Sequence, residues 1–298
     1  MKIKDTAIFI NSSNRADKIK THLLFPENIV DWYYIIPQDQ LAAYEQVEGL
    51  EDHILTIPEH VPQYLSSQRQ HVMETYGDQY KYICLMDDDL TFLRRVVKES
   101  KETTIEYGKE VVKTKKKYGL KKCKTKHIKT MFLALREHLN AMPMVAISTR
   151  LGNNRVTADY EETDRVTRCY AMSTEAFRKV GATFAPFEPF LAQDFHMTLC
   201  WLNKGYNNRI LYTYAQEDVG SNAEGGCSSY RNQEVQKKVS FWFAENHPEV
   251  TVKAKSSKNW KGYDGARVDM TVQWKKAYKP IKQRAEGGLS ALFAKKSK

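Results

Sequence analysis

The stretch from Tyr82 to Phe92, YICLMDDDLTF, limits what this chain can become more than any other part of it. A run of strand character, Tyr82 to Met86, leads straight into Asp87, Asp88 and Asp89. Neighbouring carboxylates repel one another and resist leaving water unless a cation compensates them. A divalent metal is the expected cation. Side chains alternate along a strand, so Asp87 and Asp89 are expected on one side and Asp88 on the other. Two oxygen donors at a strand's carboxyl end suit Mg2+ or Mn2+, which take one or two carboxylates with water and substrate phosphates. A solvated acidic turn would carry the same triplet. The apolar approach favours a site, because Ile83 to Met86 read as a strand covered on both faces. Open α/β sheets bind ligands beyond the carboxyl ends of such strands.

Around this stretch, strands alternate with helices, which argues for an α/β fold with a Rossmann-type, mostly parallel central sheet. Thr6 to Ile10 is a short apolar strand that breaks into NSSNR, with Asn11 and Arg15 placed to meet a nucleotide. A plain loop with a helix cap would look alike. Asp31 to Pro37 and His53 to Ile57 are further strands, with a helix from Gln38 to Gln46 between them. Pro62 opens a helix running to about Gly77. Arg69 shares its inward face with Leu65, Val72, Met73 and Tyr76, and an arginine there needs an anion: Asp87, Asp88 or a substrate phosphate. An arginine reaching outward from the edge of the stripe fits the same spacing.

After the aspartates the chain turns basic. Residues 109–129 contain KTKKKYGLKKCKTKHIK, too poor in apolar residues to build a core. A hairpin of Val96 to Ile105 against Val111 to Tyr118 is expected, forming an insertion over about residues 96–129. Lys115, Lys116, Lys117, Lys121 and Lys122 are its candidate contacts to a phosphate backbone.

The α/β pattern then resumes with a helix striped by Met131, Phe132, Leu135 and Leu139, and a strand from Met144 to Ser148. Asn153, Asn154 and Arg155 make a polar loop suited to touching an acceptor. A strand at Cys169 to Met172 feeds a helix from Thr174 to Val180, closed by Gly181. Asp194 falls where a later helix begins; it reads as a cap, and equally as a carboxylate kept ionised by the helix dipole and serving as catalytic base. Past a strand at Arg209 to Tyr214, the loop QEDVGSNAEGGCSSYR offers Asp218, Ser221, Asn222 and Arg231 to a diphosphate, and a connector with no chemistry is the rival reading. Beyond Thr251, lysines alternate with Trp260, Tyr263, Trp274 and Tyr278. Lys258, Trp260 and Lys261 are candidate nucleic-acid contacts, while the aromatics would equally cover the back of the sheet.

The 298 residues are enough for one large or two smaller domains, and a net charge of +10 favours an anionic partner. Five scattered cysteines without a CxxC pair speak against a cysteine zinc site. No apolar run is long enough to span a membrane and no secretory leader is evident, so a cytoplasmic protein is expected.

A βα half-domain, a strand ending in Asp-x-Asp, an acceptor-side half and an aspartate opening a late helix resemble a GT-A glycosyltransferase over roughly residues 5–247. The basic insertion, AQDFHMTLCWLNKGY and DVGSNAEGG are similar to the phage TET-associated glycosyltransferases, which decorate hydroxymethylated pyrimidines in DNA. The resemblance implies a nucleotide-sugar-dependent enzyme that moves a sugar from a UDP-sugar to 5-hydroxymethylcytosine or another hydroxymethylated pyrimidine. Its implied site has Asp87 on the ribose or the metal, Asp89 on the metal, and Asn11 and Arg15 near the nucleoside. Arg69, Asp88, Ser221 and Asn222 join the nucleotide-sugar set. Asp194 deprotonates the acceptor if the anomeric carbon is inverted. The closing loop lacks an evident histidine ligand, and Asp218 is the substitute. Residues 1–247 would form the GT-A domain and 248–298 a basic, aromatic extension, with a phage-encoded enzyme working in the host cytoplasm. The rival functions are a GT-A enzyme acting on a glycan, lipid or protein, a non-catalytic nucleic-acid-binding protein, and a metal nuclease.

Overall fold

The computed structural model describes residues 2–107, 109–153, 155–218, 229–256 and 266–280. In chain order these form β1 (Ile3–Asn11), β2 (Val30–Pro37), α1 (Leu41–Tyr44), β3 (Ile54–Ile57), α2 (Leu65–Tyr76), β4 (Tyr82–Asp87), β5 (Thr91–Glu106), β6 (Lys109–Lys122), α3 (Thr125–His138), β7 (Met144–Thr149) and α4 (Arg150–Asn153). Then come β8 (Tyr160–Glu162), β9 (Cys169–Ser173), α5 (Thr174–Val180), α6 (Gln193–Asn203), β10 (Arg209–Glu217), α7 (Gln233–Asn246), β11 (Val250–Ser256), β12 (Ala266–Val272) and α8 (Trp274–Ala277).

The main sheet runs β3-β2-β1-β4-β9-β7-β10-β5-β6, with β8 also pairing β10. Its first four strands are parallel. The sheet is mixed rather than mostly parallel, because β9 inserts antiparallel between β4 and β7 and β5–β6 close the edge as an antiparallel ribbon. Alternation explains the covering of both faces. Cys84 and Met86 of β4 pack on one side with Ile8, Ile10, Val145 and Ile147 under α3, through Ile128, Met131, Phe132 and Leu135. Ile83 and Leu85 pack on the other with Phe9 and Ala146 under α2, α5 and α6. Each large apolar side chain buried this way contributes about 1.5–3 kcal/mol.

Helix α6 faces two ways. Met197 and Trp201 lie against the sheet, while Leu199 and Leu202 join Val239 and Phe243 of α7 in a third cluster. The β11–β12 hairpin continues that cluster through Val250, Met270 and Val272. Trp274 and Tyr278, which the sequence left open between nucleic-acid contact and a covering role, pack here, because burying their rings beside α6 and α7 removes more apolar surface from water than a free surface would. Trp260 and Tyr263, like Lys258 and Lys261, lie outside the described residues.

The helix expected from Pro62 begins at Leu65, where the Gln68 amide first bonds back to the Tyr64 carbonyl. Gly181 closes α5 with φ of +62°, the left-handed conformation in which a side chain is strained. The ribbon is longer than its apolar content suggested. Its ladder runs from Leu93–Lys122 to Glu106–Lys109, since cross-strand backbone pairing holds the ribbon whatever its side chains, and the outward amides and carbonyls of its edges face water. Among the described residues no helix is long and apolar enough to cross a membrane.

Candidate active site

The parallel strands β1 and β4 end side by side, with Asn11 opposite Asp87. Beyond them opens a cleft of about 760 Å3. Its walls come from Asn11 to Arg15 after β1, the start of α2, the aspartate triplet, Arg165 and Arg168 before β9, the first turn of α6, and Asp269 and Met270 of β12.

Strand β4 stops at Asp87, so the expected alternation of the three carboxylates does not hold. The turn that follows is pinned from outside: the Lys20 amide donates to the Asp88 carbonyl and the Thr21 hydroxyl to that of Asp87. As a result Asp88 and Asp89 share a partner. The two terminal nitrogens of Arg15 donate to Asp88 Oδ1 and Asp89 Oδ2, each at 2.9 Å. Arg15 is thus a clamp on the triplet as well as a wall of the cleft. Ser12 donates to the other oxygen of Asp88 and shares a hydrogen bond with the Tyr44 hydroxyl.

Asp87 has a different arginine. Arg69, on the buried face of α2 as its spacing predicted, donates to Asp87 Oδ1 at 2.7 Å. The Arg69 side chain is 1 % exposed, whereas 31 % of the Asp87 side chain opens to the cleft. Burial pushes the Asp87 carboxyl upward against the pull of Arg69, and Asp89 adds to the rise. Burial likewise raises Asp88, to about 6, with Ser12 and Arg15 opposing it. Burial thus works against the charged forms of Asp87 and Asp88, and their arginines work for them. Asn11 keeps a buried Oδ1 without a hydrogen-bond partner, while its amide reaches Gln68 at 3.5 Å.

Asp194 sits inside the first turn of α6 and not at its cap, which is Ala192 in a left-handed conformation. Its carboxylate is oriented by Arg165, whose Nε and a terminal nitrogen both donate to Oδ2, at 2.9 and 2.6 Å. The Arg165 guanidinium stacks on the Phe195 ring at 4.1 Å. Asp218 also reaches the cleft, paired with Arg168 at 3.0 Å. Arg168 has φ of +56°, an uncommon conformation held by that pair and by its carbonyl, which accepts the Asp87 amide at 3.0 Å. Sequence reasoning missed Ser12, Gln68, Arg165 and Arg168. Two arginines in an irregular TDRVTRC segment carry no periodicity that would place them.

No three His, Cys, Asp or Glu side chains are gathered to hold a metal among the described residues. The donor chemistry still fits a cation held by one or two carboxylates and the phosphates of a substrate. Asp88 has both oxygens engaged; Asp87 and Asp89 each have one oxygen outside the arginine contacts. Ser221 and Asn222 lie outside the described residues, as does Asn154.

Of the basic candidates, Lys115, Lys116, Lys117, Lys121 and Lys122 all belong to β6, and the register divides them. Lys115, Lys117 and Lys121 share one face of the ribbon, and Lys116 and Lys122 the other. Arg155 is exposed in the loop beneath that second face, where Arg95 donates to the carbonyls of Asn153, Val156 and Ala158.

A partly parallel sheet flanked by helices, with a carboxylate triplet opening into an arginine-lined cleft at the end of a central strand, defines a GT-A-like transferase. The chain belongs to the TET-associated glycosyltransferase family, whose model matches residues 6–226. It is accordingly a nucleotide-sugar-dependent glycosyltransferase, and membership is consistent with sugar modification of DNA and with a DNA-type acceptor. A GT-A-like family suggests divalent-cation dependence in general. No curated protein sequence matches the chain. Among solved structures it is similar to A197 from STIV, at 14 % identity over 74 % of this chain and 87 % of that one, with a TM-score of 0.34. It is also similar to the inositol-1-phosphate CTP transferase from T. maritima, at 9 % identity over 80 % of this chain and 98 % of that one, with a TM-score of 0.32.

Proposed function

We propose that this enzyme transfers the sugar of a UDP-sugar to the hydroxymethyl group of 5-hydroxymethylcytosine, or of another hydroxymethylated pyrimidine, in DNA. The observation that carries the acceptor is the lysine-rich ribbon, which leaves the sheet directly after Asp89 in a member of this family. Phage DNA is the acceptor and the host cytoplasm the place of reaction.

Asp87 and Asp89 would hold Mn2+ or Mg2+, and Asp218, which also lines the cleft, would be the third protein ligand. The cation supplies charge neutralisation for the leaving diphosphate. Asn11, Arg15 and Asp88 line the nucleoside side, with the Asn11 Oδ1 as a ready acceptor. Arg69 fixes Asp87 from below. Ser221 and Asn222 lie in the segment expected to close over the diphosphate. Asp194 takes the proton of the acceptor hydroxyl as that oxygen bonds to the anomeric carbon; the bond from carbon to the diphosphate oxygen breaks and UDP leaves. Arg165 keeps the base aimed while its second oxygen does this work. The donor and catalytic groups fall within residues 1–247, and the basic extension, residues 248–298, adds Asp269 and Met270 to the wall.

The test is mass spectrometry of nucleosides from 5-hydroxymethylcytosine DNA incubated with Mn2+ and a panel of UDP-sugars. A hexose or pentose increment is expected. Hydrolysis of a UDP-sugar with no increment on any hydroxymethylated pyrimidine would move the acceptor elsewhere.

A further inference from the structure

The β5–β6 ribbon has two chemically different faces. Cross-strand partners share a face, and successive residues alternate between faces. On one, Arg94 stands opposite Lys121 and Lys98 opposite Lys117, with Lys115 and Lys109 further out. Glu102, paired with Lys115, and Glu106, opposite Lys109 at the tip, are the acids on that face among the described residues. On the other, Glu99 stands opposite Lys116, 3.5 Å away, and Ile105 opposite Glu110. Val97, Ile105 and Val112 are exposed there, and Arg95 near its base turns back onto the 153–158 loop.

Two like-charged pairs directly opposite each other destabilise a free ribbon, while the other face uses an opposite-charged pair at the equivalent place. Such an arrangement is relieved by a polyanion laid along it. The basic face also carries no aromatic residue, and so no platform on which unpaired bases would stack. What it matches is a duplex backbone: two strands are the width a major groove admits, and a strand of 14 residues is about 45 Å long, roughly 13 base pairs.

We propose that the ribbon face bearing Arg94, Lys98, Lys115, Lys117 and Lys121 docks on the phosphate backbone of duplex DNA, with the face bearing Lys116 and Lys122 turned away. This rests on the DNA-acceptor reading and deepens it by naming the strand face and the form of the nucleic acid.

The experiment measures the affinity of the full chain for an unmodified duplex against salt concentration, which needs no catalysis. Two triple variants carry equal charge changes: Lys98→Gln, Lys117→Gln and Lys121→Gln on one face, and Lys101→Gln, Lys116→Gln and Lys122→Gln on the other. The first is expected to lower the slope of log K on log salt by about 2.7 units, at about 0.9 for each phosphate that is no longer neutralised. The second is expected to keep the wild-type slope. Equal reductions in both, no reduction in the first, or tighter binding of single strands than of duplex overturns the proposal. UDP-sugar hydrolysis by each variant checks that the fold is intact. Sugar transfer to hydroxymethylated DNA, measured separately, tells failure of this docking mode from failure of the acceptor reading.

Discussion

Arg69 and Asp87 form an ion pair at 2.7 Å in which the cation is almost wholly enclosed and the anion opens to the cleft. Removing one partner of a buried pair leaves the other uncompensated. Arg69→Met is therefore expected to lower stability by about 3 kcal/mol, read as a drop in Tm. Adding Asp87→Asn is expected to recover part of the loss. An unchanged Tm in Arg69→Met would remove the pair from the account of this fold.

The three aspartates are not equivalent, and their variants separate. Asp89→Asn is expected to slow sugar transfer by about 100-fold or more and to blunt its response to Mn2+. Asp88→Asn weakens the contacts to Ser12 and Arg15 and is expected to cost stability while the Mn2+ response persists. Metal titrations of transfer in the two variants check this. A Mn2+ response intact in Asp89→Asn would take that residue out of the metal site.

For Asp194, the expectation concerns the acceptor half of the reaction. Asp194→Asn is expected to reduce kcat for transfer by about 10²–10⁴-fold with donor KM unchanged. Arg165→Gln, which frees Oδ2, is expected to lower kcat in the same direction by less. Steady-state kinetics with varied donor and acceptor would show it; a rise confined to donor KM would assign Asp194 to binding.

Away from the cleft, stability depends on pH through His196. Burial, with His247 nearby, lowers its pKa from 6.5 to about 4. The folded state holds the neutral ring, so its full stability is present above about pH 6.5. As pH falls below that, the unfolded chain takes up a proton that the folded chain refuses. Stability is lost progressively down to about pH 4, by about 3 kcal/mol at most from this group. Denaturant melts from pH 7 to pH 4 test it, and His196→Gln is expected to flatten the dependence.

The parts of this molecule visible in its sequence are those where one physical rule acts alone. Ile83 to Met86 announced a doubly covered strand because both faces of β4 are apolar, and Arg69 announced an ion pair because an arginine on a buried stripe has few alternatives. Asp88 and Asp89 misled the alternation rule. Where β4 ends is decided by Lys20 and Thr21, which bond to the turn from far along the chain. Asp194 was placed at a cap that the backbone gives to Ala192. For Trp274 and Tyr278 the sequence allowed a nucleic-acid surface or a cover equally, and α6 and α7 supply the core that they join. Arg165 and Arg168 hold their places through tertiary partners, Asp194 and Asp218, that local pattern does not reveal.

Asp269 and Met270 line the same cleft as the aspartates that end β4, although most of the chain separates them. During synthesis, therefore, a nascent polypeptide that has emerged only through α6 already owns its acidic triplet, both arginine clamps and Asp194. Its cleft still lacks one side. The wall arrives with β12, so the chain leaves the ribosome with these charged groups ahead of the last part of their enclosure.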